Sequence, residues 1–144
     1  MRPDDVPVLA VLRQSMGFFS DRQGVIAENV ANANTPGYVA QDLDEAAFHR
    51  ALQADIQARR SSRSMRMNGA APQQAMSNAS GASDQRTYST IDAPNSETTV
   101  NGNSVVVEEQ MVAASENRMR YETALSLYQK SLGLMRMAIR SPGR

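Results

Sequence analysis

Ala31-Asn32-Ala33-Asn34-Thr35-Pro36-Gly37-Tyr38 is the stretch whose reading decides the fold. Up to it, apolar residues recur at alternating spacings of three and four; past it, that rhythm is lost. Pro36 pushes Thr35 toward extended backbone. Pro36-Gly37 fits the central pair of a type II turn, whose third position needs a positive φ that glycine tolerates. The octapeptide therefore ends a helix, reverses the chain and sets Tyr38 just beyond the turn.

Upstream, Leu9, Leu12, Met16, Phe19, Ile26, Val30 and Ala33 form one stripe from about Val8 to Ala33, with Gln23 its polar interruption. At the other end Val107, Met111, Ala114, Tyr121, Leu125, Tyr128, Leu132, Met135 and Ile139 keep the same rhythm, broken by Arg118. Sustained 3-4 spacing is a seam for packing against another helix. The coiled-coil seam is thus assigned to Leu12, Met16, Phe19, Ile26 and Val30 on the first helix. On the second it is assigned to Met111, Tyr121, Leu125, Tyr128, Leu132, Met135 and Ile139. Glu108 and Glu109 near the start and Arg136 and Arg140 near the end suit the helix macrodipole, and Ser141-Pro142-Gly143 stops the helix.

The fold class expected is all-α: long N- and C-terminal helices packed as a coiled-coil hairpin around a largely irregular polar middle. Residues 1–40 hold the first helix and its turn, and 41–60 have room for a short helix over Leu43 to Ala58. Residues 61–104 read as a flexible polar linker rich in Ser, Asn, Ala, Gly and Gln, too poor in apolar residues to offset its own ordering entropy. Residues 105–144 form the C-terminal coiled-coil helix, with Asn101-Gly102-Asn103 a turn signal before an extended Val105-Val106-Val107. Val11, Phe18 and Val25, and Met119, Leu127, Leu134 and Met137, lie off the main stripes. A second apolar face on each helix predicts more neighbours than one hairpin partner supplies, and full folding inside an assembly.

Aromatics make up 5% of the chain, with no Trp, three Phe and four Tyr, so few large side chains are available to seed a globular core. A formal net charge of zero removes the electrostatic case for a nucleic-acid partner. Lys130 is the single lysine among fifteen basic residues, a bias that a GC-rich genome explains. Zero cysteines exclude disulfides, thiolate metal sites and cysteine nucleophiles. No run approaches the roughly 18 apolar residues of a membrane span. Val6 to Leu12, preceded by Asp4 and Asp5, does not read as a cleaved secretory leader.

Active-site chemistry is nearly absent from the residues. His49, the one histidine, reads as a surface side chain; Asp42, Asp44 and Glu45 nearby match no metal-site spacing. No nucleophile elbow or Gly-rich phosphate loop occurs. Arg59, Arg60, Arg63 and Arg66 lack interleaved aromatics and read as a solvated linker. The chain reads as a non-enzyme, with no cofactor, metal or small-molecule substrate.

Glu28-Asn29-Val30-Ala31-Asn32-Ala33-Asn34-Thr35-Pro36-Gly37-Tyr38 resembles the signature of the bacterial flagellar basal-body rod protein family. Glu108-Glu109-Gln110-Met111, Glu116-Asn117 and Arg120-Tyr121-Glu122, with the short connection between helices, are most similar to its proximal-rod members. The resemblance covers roughly Leu9–Asp44 and Gly102–Ile139; Ser61–Ser89 matches nothing in it. It implies a structural subunit exported by the flagellar type III apparatus and polymerising into the helical drive shaft that crosses the periplasm. The implied partners are copies of itself, other rod proteins, and adaptor and export-gate proteins at the membrane ring. By the same resemblance Asn29, Asn32, Asn34, Thr35, Pro36, Gly37 and Tyr38 shape subunit contacts. The alternative is a cytoplasmic helical adaptor or export chaperone, its Met-rich faces gripping a secreted subunit, and a hydrolase using His49 is a third reading without other support.

Overall fold

Pro7 occupies the first turn of the first helix, where its missing N–H costs no hydrogen bond. Val6 stays extended ahead of it and accepts the first helical bonds from Leu9 and Ala10. The computed structural model describes residues 6–67 and 88–139. In chain order these form α1 (Pro7–Ala31), β1 (Gln41–Leu43), α2 (Glu45–Met67), β2 (Thr90–Asp92) and α3 (Val107–Ile139). The molecule is mainly helical, and among the described residues the one small sheet is an antiparallel pair with Gln41 opposite Asp92, Asp42 opposite Ile91 and Leu43 opposite Thr90. The all-α expectation holds, with that two-stranded sheet added.

At 1.5 Å per residue α3 runs about 50 Å, and α1 packs antiparallel along it. Asn29 near the end of α1 meets Gln110 near the start of α3, and Asn117, about two turns further along α3, meets Gln23 and Phe19 earlier in α1. α1 ends two residues earlier than Ala33, because Asn32 leaves helical backbone and caps the last turn.

The opposite side of α1 is covered by β1 and α2. Phe18 and Val25 are buried with Leu43 and Phe48, and Phe19, Leu52 and Tyr88 close the cluster. Phe18 stacks on Phe48 at 4.3 Å between centroids, while Tyr88 stands edge-on to both at 5.2 and 5.4 Å. All three phenylalanines of the chain thus sit in or against one cluster, which is how a chain poor in aromatics still builds a core. Phe18 and Val25, which lay off the sequence stripe, are here its centre.

α2 is longer than the Leu43–Ala58 segment expected. Asp44 caps it, its Oδ1 accepting from the Ala47 N–H at 2.7 Å. Beyond Ala58, Arg59, Arg60, Arg63, Met65, Arg66 and Met67 are good helix formers, and that propensity carries the helix where no apolar stripe does. The linker expected over 61–104 therefore differs at both ends. Residues up to Met67 are helical, and β2 and a hydrogen-bonded segment occupy 90–106. Its centre, 68–87, lies outside the described residues, as do Arg140 and the Ser141-Pro142-Gly143 stop. Val105 and Val106 precede α3 as non-helical residues, and Glu108 and Glu109 occupy its first turn.

Candidate functional site

The Thr35-Pro36-Gly37-Tyr38 turn closes with the Tyr38 N–H donating to the Thr35 carbonyl at 3.3 Å, and Gly37 takes φ +70°, as its third position in a type II turn requires. Asn32 finishes α1: its amide Nδ2 donates to the Glu28 carbonyl at 2.9 Å, and its Oδ1 accepts from the Thr35 hydroxyl at 3.1 Å. Asn34, Thr35, Pro36 and Gly37 are exposed at the tip, and Tyr38 is half-buried.

This turn is locked to a second one. Gly102, at φ +81°, lies so close that a Cβ there would come 3.5 Å from the Gly37 Cα. The Gly37 N–H donates to the Asn101 carbonyl at 3.0 Å, and the Ser104 N–H to the Tyr38 carbonyl at 3.0 Å. Asn103 is the keystone. It is buried, and its Nδ2 donates to the carbonyls of Asn32 at 2.9 Å and Thr35 at 2.7 Å, while its Oδ1 accepts from the Val105 N–H at 2.8 Å. One carbonyl belongs to the C-cap of α1 and the other opens the turn, so Asn103, from 71 and 68 residues away, joins the helix end to the turn and supplies a donor that a helix end otherwise seeks in water.

A chain of amides continues from the lock into the α1–α3 interface. Glu109 accepts from Asn95 Nδ2 at 2.6 Å and from the Ser96 hydroxyl. Asn95 Oδ1 then accepts from Gln110 Nε2 at 3.1 Å and from the Val106 N–H at 3.2 Å. Gln110 Oε1 accepts from Asn29 Nδ2 at 3.0 Å. Asn29, buried, also donates to the Gln41 carbonyl at 2.7 Å and accepts from the Gln41 N–H and the Tyr38 hydroxyl at 3.0 and 3.1 Å. One orientation of each amide satisfies this whole sequence. The hydrogen bonds to Glu109 hold its carboxyl below the usual glutamate range, the Ser96 side chain contributing most.

Charged residues tie the other elements to α1. Arg22 grips Asp42 of β1 with two bonds, at 2.8 and 2.5 Å, and reaches Glu45 of α2 at 4.0 Å. The Asp42 hydrogen bond raises the Arg22 pKa above its ordinary value, with burial opposing. Arg120 of α3 meets the same Glu45 at 3.1 Å. His49 lies exposed on α2, 3.5 Å from Glu45. Among the described residues no cluster of three or more His, Asp or Glu side chains is placed to hold a metal ion, and no helix is long and apolar enough to cross a membrane.

The seam residues named from the stripes are distributed unevenly. Ile26 is buried; Leu12, Met16, Phe19, Leu125, Tyr128, Leu132 and Met135 are half-buried. Val30, Tyr121, Met111 and Ile139 are exposed, the last two 63% and 75%. The face α3 turns to α1 is centred on Gln110, Asn117 and Ala124, each one residue before Met111, Arg118 and Leu125. The reason is that β1 and α2 occupy the Phe18–Val25 side of α1, so α3 meets α1 at the edge of both stripes. Phe19, Ala114 and Tyr121 of the stripes line a groove of about 490 Å³ between the helices, together with Gln23 and Arg118. Gln23 and Arg118, the interruptions of the two stripes, face the same groove. Asn117 lines it too, donating to the Phe19 carbonyl at 2.8 Å and to Gln23 at 3.0 Å, with its Oδ1 buried and unpartnered.

Asn103, Gln110, Asn95 and Asn117 carry this site and were not singled out as site residues from the sequence. The available signal was the seven-residue spacing of Gln110, Asn117 and Ala124, a buried face written in polar and small residues.

Residues 19–38 match the family model described as flagella basal body rod protein. The matched stretch is the second half of α1 together with the whole Asn-Thr-Pro-Gly-Tyr turn, ending at the tyrosine that bonds Asn29. The match supports a structural role in the basal-body rod, and the family is one of structural proteins rather than enzymes. No curated protein matches the chain.

Proposed function

We propose that this protein is a structural subunit of the flagellar basal-body rod, of the proximal type, exported by the flagellar type III apparatus and polymerising with copies of itself and other rod proteins. The observation that carries the reading is the family match over residues 19–38, because it falls on the end of α1 and the turn to which the start of α3 is locked. The proximal assignment rests on the short connection between α1 and α3, and a place in the periplasm, beside adaptor and export-gate proteins at the membrane ring, follows from the same reading. The apolar surface supports assembly as well. Met119, Leu127, Leu134 and Met137 are exposed on α3, the first two lining a groove with Leu12 and Phe19 of α1, and such surface is normally covered in use.

Electron microscopy of basal bodies from a strain lacking the gene tests the proposal. Membrane rings without rods, restored by the intact gene, are expected; complete rods would move the cytoplasmic adaptor or chaperone reading to the front. Culture fractionation adds a second discriminator, because an adaptor stays inside the cell. Within the motif, Asn32→Ala removes the cap on Glu28 and the bond to Thr35. It is expected to impair assembly more than export, and normal rods in that mutant would refute a role for the turn in subunit contacts.

A further inference from the structure

Asn101-Gly102 carries chemistry that a rod subunit has no evident use for. In an asparagine followed by glycine, the backbone nitrogen of the glycine adds to the side-chain carboxamide carbon. Ammonia leaves, and a cyclic succinimide forms. Water then opens the ring at one carbonyl or the other, giving aspartate or isoaspartate. Glycine favours the step because it has no Cβ to obstruct ring closure and reaches the backbone angles the ring needs.

Asn101 is exposed, so water reaches it. The attacking nitrogen and the carboxamide oxygen are nevertheless both held. The attacking Gly102 N–H donates to the Thr99 carbonyl at 2.8 Å. The Asn101 side-chain oxygen accepts from the Thr99 hydroxyl and from the Asn103 N–H, the latter at 3.2 Å. The Asn101 carbonyl accepts from the Gly37 N–H at 3.0 Å. Ring closure has to free the Gly102 nitrogen from its acceptor and swing the carboxamide off its two donors, which opens the 99–103 turn whose Asn101 carbonyl and Asn103 amide hold the Pro36-Gly37 turn.

We propose that Asn101 is a deamidation site gated by that docking, closed while the two turns are locked and open whenever they separate. The two products differ in consequence. Aspartate keeps an oxygen where Thr99 and Asn103 donate, so the lock survives it. Isoaspartate carries the main chain through the side-chain methylene and displaces Gly102 and Asn103, removing the donor of the Asn32 and Thr35 carbonyls. A chain that stays unlocked long enough to isomerise is thereby prevented from locking again.

The test uses the full-length protein held at mildly alkaline pH with and without urea. Peptide mapping by mass spectrometry reads the exchange of NH2 for OH, and fragmentation distinguishes isoaspartate. Asn68-Gly69, the second Asn-Gly pair of the chain, serves as a reference for productive conditions in urea. Conversion at Asn101 is expected to be slower by on the order of tenfold or more in buffer than in urea, the ratio reporting local opening. Asn103→Ala is expected to bring the buffer rate toward the urea rate; if that variant fails to fold, Thr99→Val, which removes one donor to the carboxamide, is expected to raise the rate more modestly. Equal rates at Asn101 in buffer and urea, or conversion in urea at Asn68 alone, would overturn the proposal.

Discussion

α1 is held on its two sides by opposite means. Toward α2 and β1, Phe18 and Val25 lie in a buried apolar cluster with Phe48 and Leu43, and the Arg22 pairs with Asp42 and Glu45 are only partly buried. Toward α3, Asn29, Gln110 and Asn117 are buried, with Ile26 and Ala124 the apolar residues among them. Burial of a large apolar side chain is worth about 1.5–3 kcal/mol and is indifferent to small shifts. A hydrogen bond is worth about 0.5–1.5 kcal/mol net, but loses it when donor and acceptor slide apart. The α2 side therefore sets how firmly α1 is held, and the α3 side sets where it is held. Beyond Ala124 no side chain of α3 is fully buried: Leu125, Tyr128, Leu132 and Met135 are half-buried, and Leu127, Leu134, Met137 and Ile139 remain exposed.

The largest break in this comparison is Phe18→Ala. It empties the middle of the aromatic cluster and is expected to cost about 3–5 kcal/mol, read as a fall in the urea midpoint. A loss under about 1 kcal/mol would mean that the apolar side is not what holds α1. Asn103→Ala comes next, at roughly 2–3 kcal/mol, because it removes the side-chain donor to the Asn32 and Thr35 carbonyls and leaves the buried Val105 N–H without its acceptor. Its signature is local: hydrogen exchange should accelerate at Gly37 and Ser104 and leave the Phe18 region protected.

Asn117→Leu sharpens the comparison from the other direction. The Asn117 oxygen is already buried without a partner, so an apolar side chain of similar size is expected to be neutral or to stabilise by up to about 1 kcal/mol. The loss should appear in register, as with polar residues in coiled-coil seams. Spin labels at Ser20 and Ser115 would show a broader distance distribution across the groove. A destabilised variant with an unchanged distribution would mean that Asn117 contributes strength rather than placement.

The sequence displayed its local features well and its long-range ones poorly, and the residues show why. The turn at 35–38 rests on Pro36 and Gly37, whose backbone preferences act within four residues. The helices rest on a period of 3.6 that any stripe reveals. Asn103 gives no such sign, because its partners are 71 and 68 residues away and an amide has no periodic signature. Phe18 and Val25 were visible as a second apolar face, but the neighbour that covers them comes from Leu43, Phe48 and Tyr88, in segments the composition marked as weak. Scarcity of aromatics argued against a core, whereas gathering all three phenylalanines in one place supplies one.

The smallest effect tests how far the amide chain extends. Glu109 offers only acceptors, so it turns Asn95 Nδ2 toward itself and thereby aims Asn95 Oδ1 at Gln110 and Val106; Gln110 in turn presents its oxygen to Asn29. The carboxyl is held below the usual glutamate range by these bonds. A folded-state pKa that is depressed contributes stability above the ordinary carboxylate pKa, and that contribution disappears as pH falls through the folded value. Acidification across that window should therefore cost the wild type a small part of its stability, whereas Glu109→Gln should start slightly lower and lack that part of the slope. Titrating the urea midpoint of both proteins through the acid range reads the difference. Parallel curves would mean that Asn95 keeps its orientation through Val106 and Gln110 alone, so that the polar side of α1 is ordered from within the interface rather than from its rim.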